Sequence, residues 1–154
     1  MNDYEVILQK AADQGLNVIE GCTFESDAKG LVAGRNIGLS STLETTAEKR
    51  CVLSEEIAHT QLSVADITDP SESISRHEEL KARRRSHDEL IGISGLIDAY
   101  TARCTNRYEA AQYLNVTEEF LQAAIDGYIA RYGPFLVKGD YIITLSPIGV
   151  IKRC

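Results

Sequence analysis

Three titratable side chains lie close together in the sequence, at a spacing that one face of a helix would present. The run Ser54-Glu55-Glu56-Ile57-Ala58-His59 places Glu55 four residues before His59 and Glu56 three residues before it. Residues three and four apart are neighbours on an α-helix, so two carboxylates and an imidazole converge. This is the spacing of the H-E-x-x-H zinc helix, in which residues four apart bind the metal and the intervening glutamate is the general base. Here Glu55 takes the first ligand position, and a carboxylate oxygen can also bind zinc.

The spacing alone leaves a second interpretation open, because E-E-x-x-H is also typical of a solvated helix face. A catalytic zinc site needs three protein ligands and one open position. The acidic candidates for a third ligand are Asp66, seven residues after His59, and Glu79 on the next predicted helix. Asp66 could equally close a turn, and His77 is a candidate for the second shell or an alternative ligand. Cys51, four residues before Glu55, is interpreted as a small buried apolar residue.

The elements around this run are predicted from capping and periodicity. Thr45 and Glu48 form a capping-box signature that begins a helix from Thr46 to about Leu62. A helix over Asp3–Gln14, ended by Gly15, precedes it, and three short apolar stretches predict a small antiparallel sheet with a turn at Gly34-Arg35. Those stretches are Asn17–Ile19, Leu31–Ala33 and Asn36–Leu39.

The second half of the chain is predicted as helices followed by strands. One helix runs to about Ile91, and further helices cover Gly95–Arg103, Asn106–Leu114 and Glu118–Arg131. The predicted strands are Phe135–Lys138, Tyr141–Leu145 and Ile148–Lys152, with a two-residue turn at Gly139-Asp140.

Length and composition indicate one soluble globular domain. The chain has 154 residues, 44% of them hydrophobic, and a formal net charge of -7. A chain of this size can bury a core without metal or disulfide staples, and its apolar runs are too short to span a membrane. With no C-x-x-C pair and no signal-peptide pattern, the four cysteines are expected to be reduced thiols in the cytoplasm. The negative charge disfavours binding to membranes and to nucleic acid.

Several stretches together resemble the ImmA/IrrE-type metallopeptidases of phages, integrative elements and bacteria. The resemblance is to a subgroup whose zinc helix reads E-E-x-G-H, although Ala58 stands here where that motif has glycine. It covers most of residues 2–133. The matching stretches are Thr45–His59, Ala65–Ile67, Glu79–Arg83 and Asn106–Leu121.

The resemblance implies an α+β, small thermolysin-like (zincin-like) fold, with helices packed on a short antiparallel sheet. It implies a metallopeptidase-like region over 1–133. The helix and strand pattern itself predicts a helix-turn-helix-like pair at 106–131 and a C-terminal β-hairpin at 134–154 in the same domain. The resemblance also implies one zinc ion per chain, bound by Glu55, His59 and Glu79, with Glu56 as catalytic base. A transcriptional repressor is the implied protein substrate, and two carboxylate ligands predict a weak Lewis acid and slow or specific proteolysis.

Two other functions stay open from the sequence. A catalytically inactive relative would regulate by binding a repressor or other protein partner. A winged-helix DNA-binding module would use the helix pair and the strands that follow it. The second of these helices carries Glu118, Glu119 and Asp126 against Arg131, which is the wrong charge for a groove lined by phosphates. Direct DNA binding is therefore disfavoured.

Overall fold

The computed structural model describes the backbone of residues 1–63 and 72–153, and the side chains of residues 1–62 and 76–153. Asp66 therefore lies outside the described residues. The chain forms two compact units, Met1–Ser86 and His87–Cys154, whose boundary falls inside one long helix. The sequence predicts that residues 1–133 and 134–154 are two parts of one domain, and this assignment stays a prediction.

The described part of the first unit contains three helices and a small sheet. Helix α1 spans Asp3–Asp13 and α2 spans Thr46–Ser63, within one or two residues of the predicted bounds. Helix α3 spans Glu72–Leu90 and continues into the second unit. The strands are β1 (Asn17–Cys22), β2 (Gly30–Ala33) and β3 (Asn36–Ser40).

Side-chain caps fix where the first two helices begin. The Asn2 side chain accepts a hydrogen bond from the Glu5 backbone N–H, and the Glu5 side chain accepts one from Asn2. The predicted capping box of α2 is also present, since the Thr45 Oγ1 and the Glu48 carboxylate each accept from the other residue's backbone N–H, at 3.1 and 2.9 Å. Each box satisfies N–H groups that a helix start leaves unpaired.

The prediction of an all-antiparallel first sheet is wrong for one of its two pairings. The strand order is β1-β3-β2, with β2 antiparallel to β3 across the expected Gly34-Arg35 turn, but β1 runs parallel to β3. The central strand β3 carries Ile37 and Leu39, which are 0% and 1% exposed beneath helix α2. The segment 23–29 is long enough to carry the chain past β3, so β2 forms the far edge.

The core of the first unit lies between this sheet and the helices. Helix α2 packs on β2 and β3, and α1 packs on α2 and β1. Leu53 and Ile57 on α2 are at most 1% exposed, as are Ile37 and Leu39 on β3. Burial of such side chains stabilises a fold by about 1.5 to 3 kcal/mol each. Helix α2 is thus held against the sheet by one face, and its other face is left for different contacts.

The second unit contains three further helices and an antiparallel meander. The predicted strand bounds are confirmed, and the helix pair differs from its predicted bounds by one residue at two of its ends. The elements are α4 (Gly92–Thr101), α5 (Arg107–Leu114), α6 (Glu118–Tyr132), β4 (Phe135–Lys138), β5 (Tyr141–Leu145) and β6 (Ile148–Lys152). The strands pair in the order β4-β5-β6. Gly139, with a φ of 57°, makes the predicted turn between β4 and β5.

The described chain is thus α+β, with one mixed and one antiparallel three-stranded sheet. The thermolysin-like arrangement stays a prediction. None of the described helices combines the length and apolar character that crossing a membrane requires.

Candidate metal centre

Helix α2 has a fully buried face and a half-buried face, and the predicted site residues of this helix lie on the half-buried one. One face is buried and comprises Cys51, Leu53, Ser54, Ile57 and Ala58. Glu55, Glu56 and His59 are half-buried on the other. Since residues 55, 56 and 59 share a face at helical spacing, the two carboxylates and the imidazole form one cluster. The burial of Cys51, at 5% exposed, confirms its predicted place in the core.

Glu79 on α3 reaches this cluster across twenty residues of sequence. Its Oε1 lies 3.4 Å from Nε2 of His59, and the two side chains are 52% and 26% exposed. Two ligands bound to one tetrahedral zinc at about 2.0 to 2.2 Å are necessarily about 3.4 Å apart. The His59 and Glu79 atoms therefore already have the separation of two ligands of a single metal ion.

Glu55 and Glu56 are carboxylates that the fold makes costly to ionise. Burial raises the pKa of Glu55, and the negative charge of Glu79 raises it further while the positive charge of Arg83 lowers it. Burial, followed by the charges of Glu55 and Glu79, raises the pKa of Glu56 from 4.5 to about 7. The cluster thus has an excess of negative charge that a bound cation would relieve.

Strand β2 passes directly over Glu56. A Cβ placed on Gly30 would lie 2.8 Å from Cγ of Glu56, 2.9 Å from its Oε1 and 2.8 Å from Cγ1 of Val52. Real Cβ atoms do not approach other atoms so closely, so only glycine lets β2 lie at this distance from the helix. Gly30 therefore shields one side of the Glu56 carboxylate with backbone rather than with a side chain.

The predicted ligands are brought together in part. His59 and Glu79 are in contact, and Glu55 is near enough to both Glu79 and Arg83 for their charges to act on it. Among the described side chains, no group of three from His, Cys, Asp and Glu is gathered closely enough to hold a metal ion. Ligation of one metal ion by Glu55, His59 and Glu79 together would therefore require these side chains to move closer to each other. The donor types and the His59–Glu79 separation fit a divalent cation.

His77 lies on α3 with its side chain exposed. It is two residues from Glu79, and residues two apart on a helix do not face each other. Its assignment to the second shell stays a prediction, as does that of Asp66, which the described residues do not include.

The sequence did not indicate one residue of this region, Gly30, and it indicated only the general surroundings of another, Arg83. Gly30 belongs to a strand distant in sequence from α2, and a glycine in an extended stretch gives no signal of what lies beneath it. Arg83 belongs to the Arg83-Arg84-Arg85 run, which predicts a solvated, salt-bridged helix face, and its Nε lies 4.0 Å from Oε2 of Glu79. Its spacing of four from Glu79 is the one signal that could have indicated this pair.

In the second unit the basic residues of the helix pair are matched by acids. Nε of Arg107 lies 3.2 Å from Oε2 of Glu118, and Nη2 of Arg131 lies 2.7 Å from Oδ1 of Asp88. Glu119 and Asp126 remain on the exposed surface of α6. The surface that would enter a DNA groove in a winged helix is therefore net acidic, which is unfavourable next to phosphates.

Comparison of the chain with family models, with curated proteins and with solved structures gives no match.

Proposed function

We propose that the first unit is a divalent-metal-dependent peptidase, with zinc as the expected metal. The observation that carries the proposal is the contact of His59 with Glu79, at the separation of two ligands of one metal ion, beside two half-buried glutamates. Glu55, His59 and Glu79 would hold the metal. A bound zinc ion supplies Lewis acidity, which lowers the pKa of water and polarises a carbonyl oxygen.

Glu56 is the proton carrier in this proposal. A general base works best when its pKa lies near the working pH, and burial together with two neighbouring carboxylates raises the pKa of Glu56 to about 7. It would accept the proton of the attacking water and donate it to the leaving amine. For this it must stay out of the metal's ligand set. Its Cγ and Oε1 lie next to Gly30 of β2, whereas the Glu79 carboxylate lies next to His59.

The substrate class comes from the resemblance stated above. We propose a transcriptional repressor as the substrate, acted on in the cytoplasm, with this chain carried by a phage or another mobile element. Two carboxylate ligands would neutralise the charge of a divalent ion, so proteolysis is expected to be slow and selective.

The test of the metal site is the metal content of untagged protein purified without chelators. About one zinc per chain is expected for the native sequence. His59→Ala should abolish binding because it removes a ligand. If His77→Ala retains full binding, the predicted role of His77 as a second-shell residue or alternative ligand is wrong. Absence of metal from the native protein after addition of zinc would contradict the proposal.

The test of catalysis separates a peptidase from a protein that acts by binding alone. Glu56→Gln removes the proton acceptor but leaves the three proposed ligands in place. If the chain is a peptidase, this variant keeps its zinc and loses cleavage of a repressor-type protein. If it still inactivates such a protein as fully as the native chain does, sequestration is the function and the peptidase proposal is wrong.

A further inference from the structure

Arg83 lies at the same carboxylates that are proposed as metal ligands. Its Nε is 4.0 Å from Oε2 of Glu79, while Oε1 of Glu79 faces His59 at 3.4 Å. The Glu79 carboxylate is therefore shared between the imidazole on α2 and a guanidinium on its own helix. The positive charge of Arg83 also acts on Glu55, across the two helices.

We propose that Arg83 is the resident counter-cation of the candidate metal centre, and that it competes with the divalent ion for Glu79 and Glu55. This inference rests on the metal site proposed above and adds the residue that limits its affinity. When a metal binds, Glu79 exchanges the guanidinium for the metal, and the Arg83 side chain turns toward solvent.

Because both side chains are exposed, breaking the Arg83–Glu79 ion pair costs little free energy. The side chains of Arg83 and Glu79 are 61% and 52% exposed, so the ion pair itself is weak. A guanidinium cannot lose its proton, so its charge stays near the site at every physiological pH. Arg83 thus stabilises the metal-free cluster at little cost and lowers metal affinity by repulsion.

The neighbouring arginine provides a matched control. Nη1 of Arg85 donates to Oε1 of Gln61 at 3.2 Å, and this partner is a neutral amide. Arg83→Gln and Arg85→Gln change the net charge of the chain equally, on the same helix. They differ in whether the lost charge faces the acidic cluster.

The magnitude follows from Coulomb repulsion between the guanidinium and a divalent ion. At about 6 Å, with the dielectric constant of an exposed site, removing the guanidinium should tighten zinc binding by about tenfold. The effect should shrink with added salt, because an exposed charge is screened. Loss of packing alone would show no such salt dependence.

The experiment measures the zinc dissociation constant of the full chain by competition with a chromophoric chelator, at low and high salt. Arg83→Gln should bind zinc about tenfold more tightly than the native chain at low salt. Arg83→Lys and Arg85→Gln should stay within about twofold, because each leaves a positive charge at the cluster. Thermal unfolding of each metal-free variant checks that it is folded.

The outcomes separate this inference from the proposed function. If the native chain binds zinc and Arg83→Gln binds it no more tightly than Arg85→Gln does, the role of Arg83 is wrong and the metal site stands. Zinc binding by Arg83→Gln but not by the native chain would support the role of Arg83 and would contradict the proposal that the native chain binds zinc. If no variant binds zinc, both the metal site and the role of Arg83 are overturned.

Discussion

Replacing Glu56 with glutamine should stabilise the metal-free protein at neutral and alkaline pH. The fold raises the pKa of Glu56 from 4.5 to about 7, mainly by burial and then through the charges of Glu55 and Glu79. The folded state therefore holds the proton more tightly than the unfolded state does. The stability that this proton provides is fully present below pH 4.5 and is lost as the pH rises through 7.

The size of the effect follows from the two pKa values. A shift from 4.5 to about 7 corresponds to about 3.4 kcal/mol if it is taken in full. Because the side chain is only half-buried, solvent screening reduces this to about 1 to 2 kcal/mol. Glutamine has nearly the shape of a protonated glutamate and carries no charge, so Glu56→Gln avoids the penalty at every pH.

The assay is urea unfolding of the native chain and Glu56→Gln, with a chelator present, at a series of pH values from 4.5 to 8.5. The two free energies of unfolding should agree near pH 4.5. The variant should become the more stable by about 1 to 2 kcal/mol at pH 8. A difference that is independent of pH, or a variant less stable than the native chain at pH 8, would refute the reasoning.

Glu109→Gln is a control for which the change in stability at pH 8 should have the opposite sign to that of Glu56→Gln. The Thr105 backbone N–H, and then the Thr105 hydroxyl, donate to the Glu109 carboxylate and hold its pKa below the usual value. This carboxylate stabilises the fold above the unfolded pKa near 4.5, and the stability is lost as the pH falls through the lower folded value. Glutamine at 109 should therefore be less stable than the native chain at pH 8, and the difference should shrink on acidification.

Two further substitutions test the geometry of the site. Glu55→His should raise the ratio of zinc to manganese affinity by about tenfold, measured by competitive titration, because imidazole favours zinc over the harder ion; an unchanged ratio would mean that residue 55 is not a ligand. Gly30→Ala should destabilise the fold by about 1 to 3 kcal/mol through overlap with Glu56 and Val52. In urea unfolding, the double variant Gly30→Ala/Val52→Ala should have a higher free energy of unfolding than Gly30→Ala. An equal or lower value would contradict the proposed overlap.

The elements of this chain are specified by local signals, and these could be predicted from the sequence. The Thr45–Glu48 capping box begins α2 at Thr46, and Gly139 makes the two-residue turn between β4 and β5. Both signals depend only on residues within about four positions of each other, so the local sequence is enough to predict them. The direction of β1 does not follow from such signals, because it depends on which strand is central and on the path of the segment 23–29.

Some features of the candidate site also follow from the local sequence, whereas others depend on residues that are distant in sequence. The common face of Glu55, Glu56 and His59 follows from helical spacing alone. The resemblance implies that Glu79 and His59 share a metal ion; the structure places Oε1 of Glu79 3.4 Å from Nε2 of His59, and their ligation of a metal stays a prediction. The proximity of Gly30 to Glu56 depends on the distance between a strand and a helix, which no spacing rule supplies.

The partial burial of the two glutamates bears on the alternative that sequence spacing leaves open, a solvated helix face. On such a face each carboxylate would lie in water, and its ionisation would cost the fold nothing. Here Glu55 and Glu56 are half-buried beside Glu79, and both have raised pKa values. Acidic groups brought together at a cost to stability are typical of functional sites, because binding there recovers the energy. A divalent cation would offset the negative charges of Glu55 and Glu79, which contribute to the raised pKa of Glu56 after burial.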